Sequence, residues 1–242
     1  MADVTAVLDL RRLVGRWSLR AAGHTGRFTF FVADMFRGLG EWRTYLPRTF
    51  EQAIAIGYGS LFIVLLIAGF AGGVISESVI LELGPVLTAL ILAGRIGARY
   101  AAELGTMRVT EQIDALESLG RSPMTHLILP RCIAGLVMIP ALVMFANACG
   151  FFFGWFAAKQ SLGISNADFE YGARYFFKSF DLWYSAIKAF AFAGAVTVIP
   201  CYIGFNTQQG AAGVGKATTQ AVVASSVVVL LLDLVLAQVL LT

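Results

Sequence analysis

Leu81-Glu82-Leu83-Gly84-Pro85-Val86-Leu87-Thr88-Ala89-Leu90 runs on through Ala93-Gly94-Arg95-Ile96-Gly97-Ala98-Arg99 into Ala102-Glu103-Leu104-Gly105-Thr106-Met107-Arg108-Val109-Thr110-Glu111-Gln112-Ile113-Asp114-Ala115-Leu116. An apolar run with one carboxylate and one proline gives way here to a charge-rich, periodic segment. Val109, Ile113, Leu116 and Gly120 recur at helical spacing, while Arg108, Glu111, Asp114 and Glu117 fall on other faces. This spacing predicts a short amphipathic helix over 103–119. So short a helix with one narrow apolar stripe is not stable alone in water, so it lies on a membrane or in another protein's groove. Its acidic face (Glu111, Asp114, Glu117) opposes an anionic lipid surface and favours a protein partner. A membrane helix feeding a docking helix is the arrangement of a permease coupled to a motor.

Composition places the rest of the chain around that segment. Of 242 residues, 58% are hydrophobic and only 14% charged, with mean hydropathy +0.76. Soluble domains are closer to about 25% charged, so the chain belongs in a bilayer. No polar stretch is long enough to fold a separate soluble domain. The first fifty residues hold eight arginines (Arg11, Arg12, Arg16, Arg20, Arg27, Arg37, Arg43, Arg48) and no lysine. A nucleic-acid role would need such a patch on a soluble fold, and is excluded on that ground. Cys132, Cys149 and Cys201 stand singly in apolar runs and read as small buried hydrophobes. Residues 1–25 have no continuous apolar core, so no cleavable signal peptide is expected.

Two regions follow: residues 1–50, cytoplasmic and interfacial, and residues 51–242, the membrane domain. Within 9–21, Leu10, Leu13, Val14, Trp17 and Ala21 face one way and Arg12, Arg16 and Arg20 the other, as in a helix lying among headgroups. At about 20 apolar residues per crossing, spans are expected near 53–74, 75–94, 127–158, 182–205 and 218–241. The first two abut, leaving only Gly72–Ser78 to reverse the chain. Five spans put the termini on opposite sides. Arg95, Arg99, Arg108, Arg121 and Lys216, together with the N-terminal arginines, place the N-terminus in the cytoplasm and the C-terminus outside.

Glu82, Lys188 and Asp233 are the ionisable residues deepest in these spans. A lone charge there costs at least ~2.5–3.5 kcal/mol, so such residues face the bundle interior and pair. Each lies about seven to nine residues from the outer end of its helix, roughly 10–13 Å down at 1.5 Å per residue. One cation and two anions at one depth predict a shared cluster, either a salt bridge between helices or a polar element of a substrate cavity. Arg131, near the inner end of its span, is expected to snorkel to the interface. Gly210-Ala-Ala-Gly-Val-Gly215-Lys216-Ala217-Thr218 nearly spells a phosphate-binding loop. The position after the lysine is Ala217, where that loop needs Ser or Thr, and membrane helices flank it. The glycines read as a tight cytoplasmic turn before the last span. His24 and His126 have no nucleophile pattern near them, so no catalytic site is expected. No metal site is expected either.

The quoted runs resemble the signature of the MlaE/YrbE permease family. The likeness continues through Pro130-Arg131, Gly213-Val214-Gly215-Lys216-Ala217-Thr218-Thr219 and Leu232-Asp233, covering most of residues 40–242. The resemblance implies an all-α, homodimeric permease of the bacterial inner membrane, working with a cytoplasmic ABC ATPase and a periplasmic MCE-domain protein. The cargo it implies is phospholipid or a related lipid moved between inner and outer membranes. ATP and magnesium would be bound by the ATPase, and no cofactor by this chain. Glu82, Lys188 and Asp233 would form the polar network of the lipid path, with Leu65, Phe70 and Leu81 lining the cavity. Glu103, Arg108, Glu111, Asp114 and Glu117 would belong to the coupling helix. Two departures stand out: Leu81 occupies a position where the family usually has arginine, and the Gly72–Ser78 connection is shorter than the family's. The alternative reading is a proton-coupled secondary transporter using Glu82, Lys188 and Asp233. No inverted repeat supports that alternative.

Overall fold

The structure, a computed structural model, describes residues 26–37, 46–57, 60, 79–162, 166–167, 169–171, 178–208 and 210–241. All the elements among them are helical. Helices over 26–37 (α1) and 46–57 (α2) precede α3, Ile80–Val109. A short helix, α4, covers Gln112–Ser118. It is followed by α5 (Leu129–Leu162), α6 (Ser179–Phe205) and α7 (Gly210–Leu241). Among the described residues, four helices are long and apolar enough to cross a membrane: Ile80–Val109, Met124–Ala157, Ser179–Phe205 and Gly210–Leu240. The expected span near 53–74 and the helix at 9–21 lie almost entirely outside the described residues, as do Leu65, Phe70 and the Gly72–Ser78 junction.

α3 corrects one expectation. Neither Pro85 nor the Gly94–Gly97 segment ends the helix. Proline supplies no N–H to the turn before it, and the backbone answers with a π-helical turn over Val79–Leu83. A second π turn over Ala93–Gly97 carries the helix past its glycines. The span therefore runs on to Val109, and the amphipathic segment is not one helix over 103–119. Thr110 and Glu111 make a turn, Glu111 at φ 59°, and α4 starts only at Gln112. A third π turn, Met124–Ile128, precedes Pro130 at the start of α5. Gly210 opens α7 at φ +64°, and Gly213 and Gly215 lie inside that helix, not in a turn. Thr218 and Thr219 bond back to the carbonyls of Val214 and Gly215 as ordinary helical hydroxyls.

α3 and α6 form the middle of the bundle, with α5 packed on one side and α7 on the other. Small residues set their approach. Gly97, Ala101 and Gly105 recur every fourth residue on α3 and face Pro200, Gly204 and Thr207. A Cβ built on Gly204 would lie 2.9 Å from both the Cα and the carbonyl oxygen of Ala101. Close backbone contact of this kind holds helices together where lipid removes the hydrophobic drive. α1 docks by Phe28 and Phe31, whose rings meet Tyr202 edge-on at 5.2 and 5.3 Å. On α7, Ala217, Ala221, Ser225 and Val229 are buried at four-residue spacing. Val227, Leu231 and Val235 point away from the bundle.

Candidate functional site: a buried ion cluster and a charged terminal turn

Glu82 lies in the first π turn of α3, Lys188 ten residues into α6 and Asp233 near the far end of α7. The three meet. Lys188 is wholly buried and donates to Glu82 Oε2 at 2.6 Å, and its ammonium also pairs with Asp233 Oδ1. Tyr184, one turn earlier on α6, accepts from Lys188 Nζ at 3.1 Å and donates to Glu82 Oε1 at 2.9 Å. The ammonium sits 4.8 Å from the Tyr184 ring centroid. Two of its N–H groups thus have acceptors in Glu82 and Tyr184, and the Asp233 carboxylate supplies a second counter-charge, which is what makes a buried lysine tolerable. Sequence reasoning missed Tyr184, although its i, i+4 spacing to Lys188 was the available signal. The cluster ties α3, α6 and α7 at one depth. Leu81 is half-buried beside Glu82 on the same turn.

A second polar network crosses from α3 to α5. Arg131 is buried, not snorkelled: its Nη1 donates to Leu127 O at 2.7 Å and its Nη2 to Glu103 Oε2 at 3.1 Å. Its guanidinium lies 5.8 Å from the Tyr100 ring. Glu103 also accepts from Arg99 Nε at 2.6 Å. Burial on α5 leaves Arg131 no route to the interface, so it takes the carboxylate one helix away. Glu103 thus stands apart from Glu111, Asp114 and Glu117, inside the α3–α5 contact.

At the end of α3 remote from Glu82, Arg108 Nη1 pairs with Asp114 Oδ1 at 2.5 Å and closes the turn. The Arg108 guanidinium rests 5.9 Å from the Phe205 ring, where α6 also ends. Ile113 is fully buried and anchors α4, with Leu116 partly buried beside it. Glu111, Asp114 and Glu117 are exposed, and Leu119 is 75% exposed just past the helix. The π turn before α5 is tied separately: Arg48 of α2 donates to the His126 carbonyl at 2.7 Å, and His126 Nδ1 lies 3.2 Å from Ser122 O.

Long apolar helices, an ion cluster around a buried lysine within them and a short charged helix at one end define a multi-pass α-helical membrane protein. The chain belongs to the MlaE permease family, whose profile, described as "Permease MlaE", matches residues 70–239. A probable ABC transporter permease protein of Rickettsia prowazekii is 34% identical over 246 residues, covering 93% of this chain and 95% of that protein. The intermembrane phospholipid transport system permease protein MlaE of Haemophilus influenzae is 33% identical, covering 87% of this chain and 89% of its own. The chloroplastic protein TRIGALACTOSYLDIACYLGLYCEROL 1 of Arabidopsis thaliana is 39% identical over 85% of this chain and 63% of its own. The Rickettsia alignment runs over 246 positions, while 93% of 242 residues is about 225, so about 21 of its positions face no residue here. The Arabidopsis alignment, 226 positions against 85% of 242 or about 206, leaves about 20. Within the aligned region the chain is shorter than these two relatives by that many positions.

Proposed function

We propose that this chain is the membrane subunit of an ATP-driven transporter that moves phospholipid or a related lipid between the inner and outer membranes. The observation that carries the reading is family membership joined to a polar end on the bundle. A short helix is anchored by one buried residue, Ile113, and presents Glu111, Asp114 and Glu117 outward. In this reading α4 and the turn before it seat in a cytoplasmic ABC ATPase, which binds the ATP and magnesium. A second copy packs against this one, and a periplasmic MCE-domain protein sits at the opposite end, over the Glu82–Lys188–Asp233 level. The N-terminus is then cytoplasmic, the C-terminus periplasmic, and the membrane is the bacterial inner membrane. The lipid cavity would lie towards Leu81, Leu65 and Phe70. Glu111 adds weight. A non-glycine residue in the left-handed region costs of order 1 kcal/mol, and such strain clusters where a side chain is needed for binding.

The test is reversal of charge at the docking face. Glu111→Lys and Asp114→Lys should release the ATPase on co-purification, while the thermal midpoint of the permease itself shifts little, since exposed substitutions move stability by about 0.5 kcal/mol. Unchanged co-elution of ATPase with both variants refutes the seating of α4. Lipid transfer between membranes that continues without ATP and follows an imposed proton gradient would favour the secondary-transporter reading instead.

A further inference from the structure

At the Glu82 end of the bundle lies a cavity of about 870 Å³, and none of Glu82, Lys188 and Asp233 lines it. It is bounded by α5, by Ile80 at the start of α3, by Leu182 at the start of α6 and by Phe169 of the connection between α5 and α6. All these belong to the end of the bundle opposite α4. The Phe169 wall is fixed to α5, since its ring meets Phe151 at 5.6 Å. The volume falls in the ~300–1,000 Å³ range of ligand pockets.

The lining is mostly apolar, with Asn166 and Glu170 the polar members besides Asn147, whose own amide is left incomplete. Asn147 is 5% exposed and faces the cavity from the middle of α5. Its Nδ2 donates to Ser185 Oγ at 2.8 Å, which fixes the amide against α6. Its Oδ1 is buried and has no hydrogen-bond partner among the described residues. Buried polar atoms in folded proteins are nearly always satisfied, so each exception calls for an occupant. Asn147 lies ten residues before Ala157, where the apolar span ends, so this acceptor is roughly 15 Å inside the span, at acyl-chain depth.

We propose that this cavity binds a single-chain lipid bearing a free hydroxyl, with the hydroxyl donating to Asn147 Oδ1 and the chain lying against Ile80, Phe151 and Leu182. The site shares no lining residue with the Glu82–Lys188–Asp233 cluster. Binding there needs neither ATP nor a partner, so it stands or falls apart from the ATP-driven reading.

The experiment uses the purified full chain in nanodiscs with two photoactivatable probes: a long-chain alcohol carrying a diazirine, and the same chain ending in a methyl group. Crosslinks are mapped by mass spectrometry. The alcohol should label residues 144–155 or Leu182 about fivefold more than the hydrocarbon does. Asn147→Leu should remove that preference. Ala148→Phe, which fills the cavity without touching the amide, should abolish labelling there by both probes. Equal labelling by the two probes in the unaltered chain overturns the proposal and requires no variant to fold. Labelling that persists in Ala148→Phe overturns it as well, and so does a crosslink from position 151 to a partner protein's helix in the assembled complex.

Discussion

The two ends of the bundle hold ion pairs of nearly the same length in opposite surroundings. At one end Lys188 is sealed from solvent and bound by Glu82, Tyr184 and Asp233. At the other, Arg108 and Asp114 meet at 2.5 Å with side chains 37% and 53% exposed. Coulomb attraction at fixed distance scales inversely with the effective dielectric, so the same contact means different things in the two places. The buried cluster binds three helices and is costly to break. The exposed pair shapes a turn at little energetic gain, and its outward groups stay available to a partner. Length alone would rank the two pairs as equals, and the burial of Lys188 separates them, since Glu82 itself is 40% exposed.

The sharpest break of this comparison is Lys188→Ala. Removing the one cation leaves two partly exposed carboxylates facing each other; truncating one member of a fully buried charge network costs about 3–5 kcal/mol, and solvent at Glu82 and Asp233 brings the cost here below that. The expected outcome is a large fall in thermal midpoint of the detergent-purified chain, or failure to accumulate. Neutralising all three together (Glu82→Gln, Lys188→Met, Asp233→Asn) should recover most of that loss. If the single variant melts like the unaltered chain, the cluster is not a structural tie.

Next in size is Gly204→Ala. The added methyl meets backbone of Ala101, not a movable side chain, so α3 and α6 must part. Overpacking of this kind costs about 1–3 kcal/mol. Disulfide trapping of cysteines placed across the two helices would report the separation as a fall in crosslinking rate.

How much of this could be read from the residues alone differs by the same contrast. The buried cluster was legible, because charges inside apolar spans are rare enough that counting depth from the helix ends brings Glu82, Lys188 and Asp233 to one level. Tyr184 was not, since a tyrosine in a span carries no such penalty to mark it. The Arg131–Glu103 pair was missed for a related reason. Arg131 lies near a helix end, where snorkelling is an ordinary escape, and nothing local says that α3 passes beside it. The helix through Gly94–Gly97 was misread because glycine and arginine together resemble a span terminus. A π turn absorbs them, and hydrophobic periodicity does not report π turns. The stripe Gly97–Ala101–Gly105 was present in plain spacing, and its partner Gly204 could not be known without the packing. The all-helical membrane class needed only composition and length.

The exposed end should respond weakly. Asp114→Asn removes a pair worth about 0–1 kcal/mol, and the loss should shrink further in high salt. The thermal midpoint of the isolated permease then stays nearly constant while association with the ATPase changes, which is the signature that distinguishes a docking turn from a structural tie. Comparable destabilisation by Asp114→Asn and Lys188→Ala would erase the contrast between the two ends.

The smallest effect expected has the opposite sign. Glu111 holds φ 59° between α3 and α4, a conformation glycine adopts freely and other residues rarely do. Glu111→Gly relieves that strain but gives the unfolded chain more freedom, so the two contributions oppose and the gain is at most about 1 kcal/mol. The carboxylate accounts for little of the fold, being exposed, and its loss should not reverse the gain. A small rise in thermal midpoint with weakened ATPase association would mean the strained glutamate is retained for its partner, not for the permease's own stability. A clear fall in the midpoint would mean the side chain supports the turn itself, and the two ends would then differ less than their burial implies.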